Sequence, residues 1–259
     1  VETLGAVVHN QQVLQRLAQI GVKTVNDIDE IRGDTIVISA HGVSPQLADK
    51  LRTRSAEVVD TTCPFVHRAQ VAAQQLAESG FFVVIYGDAN HPEVKGVLGW
   101  AKYRGLATLN EKVMANLHPV PRHIGVLSQT TQVPANFIGF VKKLINSVYN
   151  KDSELRIIDT ICHDIRKRQA SAIELASKVD VMLVIGGRNS ANTKHLAELV
   201  AMVTETHLIE RAEEIQPSWL HGQNNIGVTA GASTAEQTVD EVLAKLKSYS
   251  TIKQTKQRH

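Results

Sequence analysis

Short apolar, β-branched runs alternate along this chain with stretches whose apolar residues recur at helical spacing. The runs are Val7-Val8, Thr35-Ile36-Val37-Ile38-Ser39, Val58-Val59, Phe81 to Tyr86, Ile124-Gly125-Val126-Leu127, Ile157-Ile158, Val181 to Ile185 and Ile226-Gly227-Val228. Bounded by turn residues, such runs predict strands, and the all-apolar ones predict strands buried on both faces. Between them Val13, Leu14, Leu17 and Ile20 predict a helix stopped by Gly21, and Ser44-Pro45 supplies an N-cap and a first helical position. Val71, Ala72 and Leu76 mark a helix ending at Gly80, and Ala170, Ile173, Leu175 and Ala176 mark another. Thr234 and Gln237 have capping-box spacing ahead of Val239, Val242, Leu243 and Leu246. The first strand is expected to end at Val7-Val8-His9-Asn10. Strand and helix alternate throughout, so the expected class is α/β with mostly parallel sheets.

The strand-to-helix junctions carry the chemistry. The chain has 259 residues and 2 cysteines. They stand in near-identical settings, Asp60-Thr61-Thr62-Cys63 and Asp159-Thr160-Ile161-Cys162, each closing a β-branched run and opening a helical stretch. Sites form at the C-terminal ends of strands in open parallel sheets, and a helix N-terminus favours a thiolate. After Cys63 a strand leads to His91-Pro92-Glu93 and a later one to Thr130-Thr131; after Cys162 the corresponding loops hold Asn189-Ser190-Ala191-Asn192 and Ser233. His9 and His41 end the same two strands of an earlier copy. The repeat predicts three α/β domains, at 1–62, 63–159 and 160–259, the first lacking its N-terminal strand and helix. Its spacing places a third cysteine roughly 20 residues before Val1. The chain also opens directly in a strand and without Met, so truncation, processing or a partial sequence is expected.

Composition narrows the partners. A net charge of +2 gives no reason to expect a nucleic-acid or membrane surface. Two cysteines exclude a disulfide framework and suit a cytoplasmic setting. No apolar run reaches the ~18 residues of a membrane span, and no signal-peptide pattern is present. The polar strand ends (His9, Asn10, His41, Cys63, His91, Glu93, Thr130, Thr131, Cys162, Ser190, Asn192, Ser233) would converge if three units faced a common centre. Thiolates there would select an iron–sulfur cluster or zinc. Histidines with Ser, Thr and Asn, and no dense Lys/Arg cluster, suit an anion held by hydrogen bonds. Glu93 shares its loop with a histidine and is the natural proton donor or relay. Plainer readings stand beside these: the cysteines as apolar filler, Glu93 as a helix cap, Thr130-Thr131 as strand-end capping, and Ser233 as structural. His67, His118, His123, His163, His195, His207 and His221 read as surface residues, and the tail with Lys253, Lys256, Arg258 and His259 as solvated.

These motifs, in this order, resemble those of the 4-hydroxy-3-methylbut-2-enyl diphosphate reductase family from Val1 to about Leu246. The segments are Val8-His9-Asn10, Ser39 to Pro45, Asp60 to Pro64, His91-Pro92-Glu93-Val94 with Gly96, Gln129-Thr130-Thr131, Asp159 to Cys162, Asn189 to Asn192 and Thr229 to Ser233. The resemblance implies three similar domains in pseudo-three-fold arrangement around a central cavity with a [4Fe–4S] cluster. Cys63 and Cys162 would be two of its three cysteine ligands, the third lying in a Gly-Phe-Cys motif upstream of Val1. His9, His41, His91, Thr131, Ser190, Ala191, Asn192 and Ser233 match substrate-binding positions, with Glu93 the proton-relay acid and Thr130 the hydroxyl that assists it. Ala191 stands where the family commonly has Ser; its backbone N–H remains, so tolerance is expected. The implied reaction is reductive dehydroxylation of the allylic diphosphate to isopentenyl and dimethylallyl diphosphate, fed by flavodoxin or ferredoxin, in a bacterial cytoplasm or plastid stroma. With two cysteines an alternative stays open, a cluster-free diphosphate-binding module.

Overall fold

A computed structural model describes every residue except 9, 55, 56, 116, 118, 150, 151 and 257–259, and no side chain at 114, 115 or 250–256. The elements follow one another as β1 (Glu2–Leu4), α1 (Gln11–Gln19), β2 (Lys23–Val25), β3 (Thr35–Ile38), α2 (Pro45–Arg54), β4 (Glu57–Asp60), α3 (Pro64–Glu78), β5 (Phe82–Tyr86), α4 (Pro92–Trp100), β6 (Gly105–Thr108), α5 (Lys112–Ala115), β7 (His123–Ser128), α6 (Pro134–Val148), β8 (Glu154–Ile157), α7 (His163–Ala176), β9 (Val181–Ile185), α8 (Ala191–Ala201), β10 (Glu205–Ile209), α9 (Pro217–Leu220), β11 (Ile226–Ala230) and α10 (Glu236–Lys256). No helix among the described residues is long and apolar enough to cross a membrane.

Two compact units divide the chain, one of residues 1–8 and 16–163, the other of residues 9–15 and 164–259. The first holds two four-stranded sheets, ordered β2-β1-β3-β4 and β6-β5-β7-β8; the second holds the three-stranded sheet β10-β9-β11. Every pairing is parallel. The strongest apolar runs take the interior places: β9 is buried along its length and β5 nearly so. In the second sheet, strand alternation sends Val83, Ile85 and Leu127 to Ala69, Ala72, Ala73 and Leu76 of α3, and Val84, Ile124 and Val126 to Phe137, Phe140 and Leu144 of α6. Gly125 makes room for α3, since a Cβ there would lie 2.6 Å from Leu76. In the second unit, Met182 and Val184 face Ala172 and Ala176 of α7 and Leu196 and Val200 of α8. Leu183 and Ile185 face Ile209, Leu220 and Val242.

Three expectations are revised. β1 stops at Leu4 rather than near Asn10, because Gly5 turns the backbone at φ 71° after its N–H meets the Val25 carbonyl at 2.8 Å. Asn10 instead caps α1, its Oδ1 accepting the N–H groups of Gln12 and Val13 at 3.0 and 3.2 Å. Thr234 does not form the expected capping box: its hydroxyl donates to the Ile185 carbonyl at 2.9 Å and so ties the turn after β11 to β9. β3 is buried on one face only, through Ile36 and Ile38, because Thr35 and Val37 stay half-buried. His9, His118, Arg258, His259 and the side chains of Lys253 and Lys256 lie outside the described residues.

A nearly buried carboxylate anchors the first sheet. Glu2 Oε2 accepts the N–H groups of Arg32 and Gly33 at 2.8 and 2.9 Å, with Lys23 Nζ 3.8 Å from its other oxygen. The Gly33 and Arg32 amides hold its carboxyl below the ordinary range. The stability this gives is present above the unfolded-state value, ~4.3, and is lost as pH falls through the lower folded-state value. Glu2→Gln should therefore melt below the wild type at neutral pH and converge with it in strong acid. Thermal melts across pH check this, and a gap that is unchanged by acid contradicts it.

Candidate functional site

In the first unit the site grows from the first turn of α4. His91 caps this helix, its Nδ1 accepting the Glu93 N–H at 3.2 Å, and Pro92 takes the first helical position. Glu93 is thereby turned inward and only 2% exposed. The turn after β7 meets it there. Thr130 donates its backbone N–H to Glu93 Oε1 at 2.7 Å and its hydroxyl to Oε2 at 2.8 Å. Gly87 permits this approach, since a Cβ would stand 2.8 Å from that of Gln129. Burial pushes the Glu93 carboxyl above the ordinary range, and the Thr130 amide and hydroxyl only partly oppose it. A carboxyl in that state is a proton store: protonated, it can turn the Thr130 hydroxyl from donor into acceptor.

Packing brings the histidines together. Trp100 Nε1 donates to the Val43 carbonyl at 2.9 Å, and α4 lies so close to the turn after β3 that a Cβ on Gly99 would come within 2.3 Å of Ser44 Cβ. Gly42 in that turn has φ 67°, a conformation that favours glycine, and it faces the Gln70 side-chain amide. As a result the His41 and His91 rings stand edge to face at 5.4 Å. Cys63 caps α3 without using its thiol and donates its N–H to the Ala40 carbonyl at 3.0 Å. Cys162 precedes α7 and donates its N–H to the Thr130 carbonyl at 2.9 Å. Both thiols are free, Cys63 half-buried and Cys162 9% exposed. Soft thiols at two helix N-termini fit an iron–sulfur centre in kind. In number they are two, and among the described residues no three His, Cys, Asp or Glu are grouped to hold a metal ion.

The second unit gathers the remaining polar residues. Ser190 caps α8, its Oγ accepting the Thr193 N–H at 3.3 Å, which places Ala191 and Asn192 in the first turn. The turns after β11 and β9 reach that helix through Gly231 and Gly186, where Cβ atoms would stand 2.2 and 2.8 Å from the Thr193 hydroxyl. Asn10 Nδ2 donates to the Ser233 carbonyl at 3.0 Å. Both amide atoms of Asn192 and the hydroxyls of Thr193 and Ser233 are buried with no hydrogen-bond partner among the described residues. Such groups are costly to leave unpaired, so these atoms are available to a polar ligand or water. Arg188 ties the loop before Ser190 to the end of β10, donating its N–H to Glu210 at 2.7 Å and pairing its guanidinium with Glu214.

Of the residues expected from sequence, the first unit connects Cys63, Cys162, His41, His91, Glu93 and Thr130, with Thr131 next to Thr130. The second holds Ser190, Ala191, Asn192 and Ser233. His9 lies outside the described residues. Sequence reasoning assigned no part to Thr160, Gln129 or Thr193. The signal for Thr160 was available, since Thr stands two places before each cysteine. Gln129, 2% exposed and receiving the Asp88 N–H at 3.2 Å, and Thr193 carry no signal beyond adjacency to Thr130 and Asn192.

Fold and side chains together define a parallel α/β protein with two strand-end thiols and a buried acid whose carboxyl burial pushes above the ordinary range. A model of the LytB protein family matches residues 1–247, and the chain belongs to that family. It is 59% identical over 250 residues to the 4-hydroxy-3-methylbut-2-enyl diphosphate reductase of Dehalococcoides mccartyi, covering 96% of this chain and 88% of the relative. The Geobacter metallireducens protein of the same name is 42% identical over 252 residues, covering 97% and 88%. Among solved structures, (E)-4-hydroxy-3-methyl-but-2-enyl diphosphate reductase, described as the terminal enzyme of the non-mevalonate pathway, matches with a TM-score of 0.69 at 36% identity, covering 96% of this chain and 88% of that one. The Plasmodium falciparum E-1-hydroxy-2-methyl-but-2-enyl-4-diphosphate reductase matches with a TM-score of 0.85 at 25% identity, covering 94% and 77%.

The raised Glu93 carboxyl has a consequence for stability. A native state that keeps this proton longer than the unfolded chain loses stability as pH rises from ~4.3 to the folded-state value. Glu93→Gln removes that loss. Its melting temperature should gain on the wild type through that window and then run parallel. Melting curves that stay parallel from acid to neutral pH would show an unshifted carboxyl.

Proposed function

We propose that this chain is a reductive dehydroxylase acting on 4-hydroxy-3-methylbut-2-enyl diphosphate and forming isopentenyl and dimethylallyl diphosphate. The observation that carries the reading is the buried Glu93 carboxyl clasped by both donors of Thr130. The reaction consumes two electrons and two protons for each allylic C–O bond cleaved, gaining one C–H bond and releasing water. Glu93 holds a proton at its carboxyl oxygen and passes it through the Thr130 hydroxyl, so that the leaving oxygen departs as water rather than hydroxide. Ser190, Asn192 and Ser233 hold the diphosphate with the buried hydrogen-bonding atoms left over in their own unit, helped by the α8 N-terminus. The backbone N–H at Ala191 serves there without a side chain. His41 and His91, ring against ring, can donate to anionic oxygen, and we assign His9 and Thr131 to substrate binding as well.

Cys63 and Cys162 would hold a [4Fe–4S] cluster, which when bound supplies the two electrons and a Lewis-acidic iron. A one-electron carrier such as flavodoxin or ferredoxin, in a cytoplasm or plastid stroma, would feed it. We assign residues 1–62, 63–159 and 160–259 as the repeating α/β domains of this reading. Anaerobic reconstitution followed by iron and sulfide analysis tests the cluster: uptake of both supports it, and a protein that takes up neither is a cluster-free diphosphate-binding module instead.

Glu93→Gln tests the mechanism. In the anaerobically reconstituted protein it should lower turnover by about 10²-fold or more, the scale of a lost general acid, and leave inorganic diphosphate binding by calorimetry unchanged. Turnover within twofold of the wild type would remove Glu93 from its role.

A further inference from the structure

Asp-Thr-x-Cys repeats a set of hydrogen bonds as well as a sequence. In each copy the aspartate accepts the amide two residues on: Asp60 Oδ1 from Thr62 at 2.9 Å, Asp159 Oδ1 from Ile161 at 3.0 Å. In each, the threonine hydroxyl donates to the last carbonyl of the neighbouring strand: Thr61 to Ile38 at 2.6 Å, Thr160 to Ser128 at 2.5 Å. In each, the cysteine N–H reaches the carbonyl two residues further along that neighbour, at Ala40 or Thr130. The cysteine loop is thus held to the adjacent turn by two pins common to both copies, the first a threonine side chain; in the earlier copy the Thr61 N–H backs that first pin, meeting the same Ile38 carbonyl at 3.1 Å.

The copies differ in what the second pin holds. Ala40 carries nothing further, whereas Thr130 gives its amide and hydroxyl to Glu93. Thr160 is also the more deeply set. It is 3% exposed and its hydroxyl receives the Ser128 N–H at 3.0 Å while donating to the Ser128 carbonyl, so it closes a two-way bridge that Thr61, which is exposed, does not make. We propose that Thr160 is a positioning residue: by locking the end of β7 it fixes Cys162 relative to the Thr130–Glu93 pair. Thr61 does the same for Cys63 alone. This rests on the reading of Cys162 as a cluster ligand and Glu93 as the acid, but its geometry concerns thiol loops that exist without a cluster.

The test uses the full chain without added iron. Alkylation by iodoacetamide, followed by peptide mass spectrometry, gives a separate rate for each thiol. Thr160→Val should raise the Cys162 rate by about two- to tenfold, the range one net hydrogen bond sets, and leave the Cys63 rate unchanged. Thr160→Ser, which keeps the hydroxyl, should restore it. Thr61→Val should give the mirror result, raising Cys63 and sparing Cys162. The proposal is overturned if Thr160→Val leaves the Cys162 rate unchanged, if both thiols accelerate alike, or if serine fails to rescue. Should Thr160→Val not fold, Thr61→Val decides: a rise not confined to Cys63 overturns the shared latch. Failure of the wild type to take up iron and sulfide would count against the cluster and leave these rates unaffected.

Discussion

Thr130 is gripped from three directions, and the first unit's chemistry depends on that grip. Its amide and hydroxyl end on the two oxygens of Glu93, and its carbonyl takes the N–H of Cys162. A carboxyl as buried as Glu93 is tolerable only with such partners, because an unsatisfied polar group costs ~1–3 kcal/mol or more in a buried setting. Satisfying it obliges the turns after β5, β7 and β8 to meet at one place. Acid, hydroxyl and thiol loop are consequently one hydrogen-bonded assembly rather than three independent side chains.

Absent side chains make that assembly possible. Gly87 lets the turn after β7 reach the start of α4, and Gly99 lets α4 approach the turn that carries His41. In the second unit Gly186 and Gly231 do the same for Thr193 beside Asn192. At these four positions even a methyl group would meet another atom at under 3 Å, so each is a point where the scaffold gave up side-chain packing to bring polar loops together.

The interior strands β5, β7 and β9 were plain in the sequence because burial on both faces leaves a largely apolar run, as in Val181 to Ile185. The edge strands β4, β8 and β11 kept enough β-branched residues to be read, but β2 and β6 did not. Lys23-Thr24-Val25 and Gly105-Leu106-Ala107-Thr108 bury little and are held by backbone pairing to β1 and β5, which leaves no periodic trace. Val7-Val8 misled in the other direction: apolar, but beyond the turn at Gly5 and without a strand to pair with. Glu93 was legible because a carboxylate beside a histidine at a strand end has few structural uses. Thr160 shows its repeat in the sequence but not its bond, because its partner Ser128 is 32 residues away and only the paired strands bring them together. Thr234 had a cap's spacing but spends its hydroxyl on β9.

The chemistry assigned to Glu93 needs a proton on a carboxyl that burial pushes above the ordinary range. Infrared spectroscopy of the Glu93 carboxyl as a function of pH, with Glu93→Gln as the blank, reads that proton directly. A protonated-acid band that is absent from the blank and persists above the ordinary carboxylate range is the predicted result. A band that disappears in the ordinary range, leaving Glu93 ionised at neutral pH, would contradict the role given to it here.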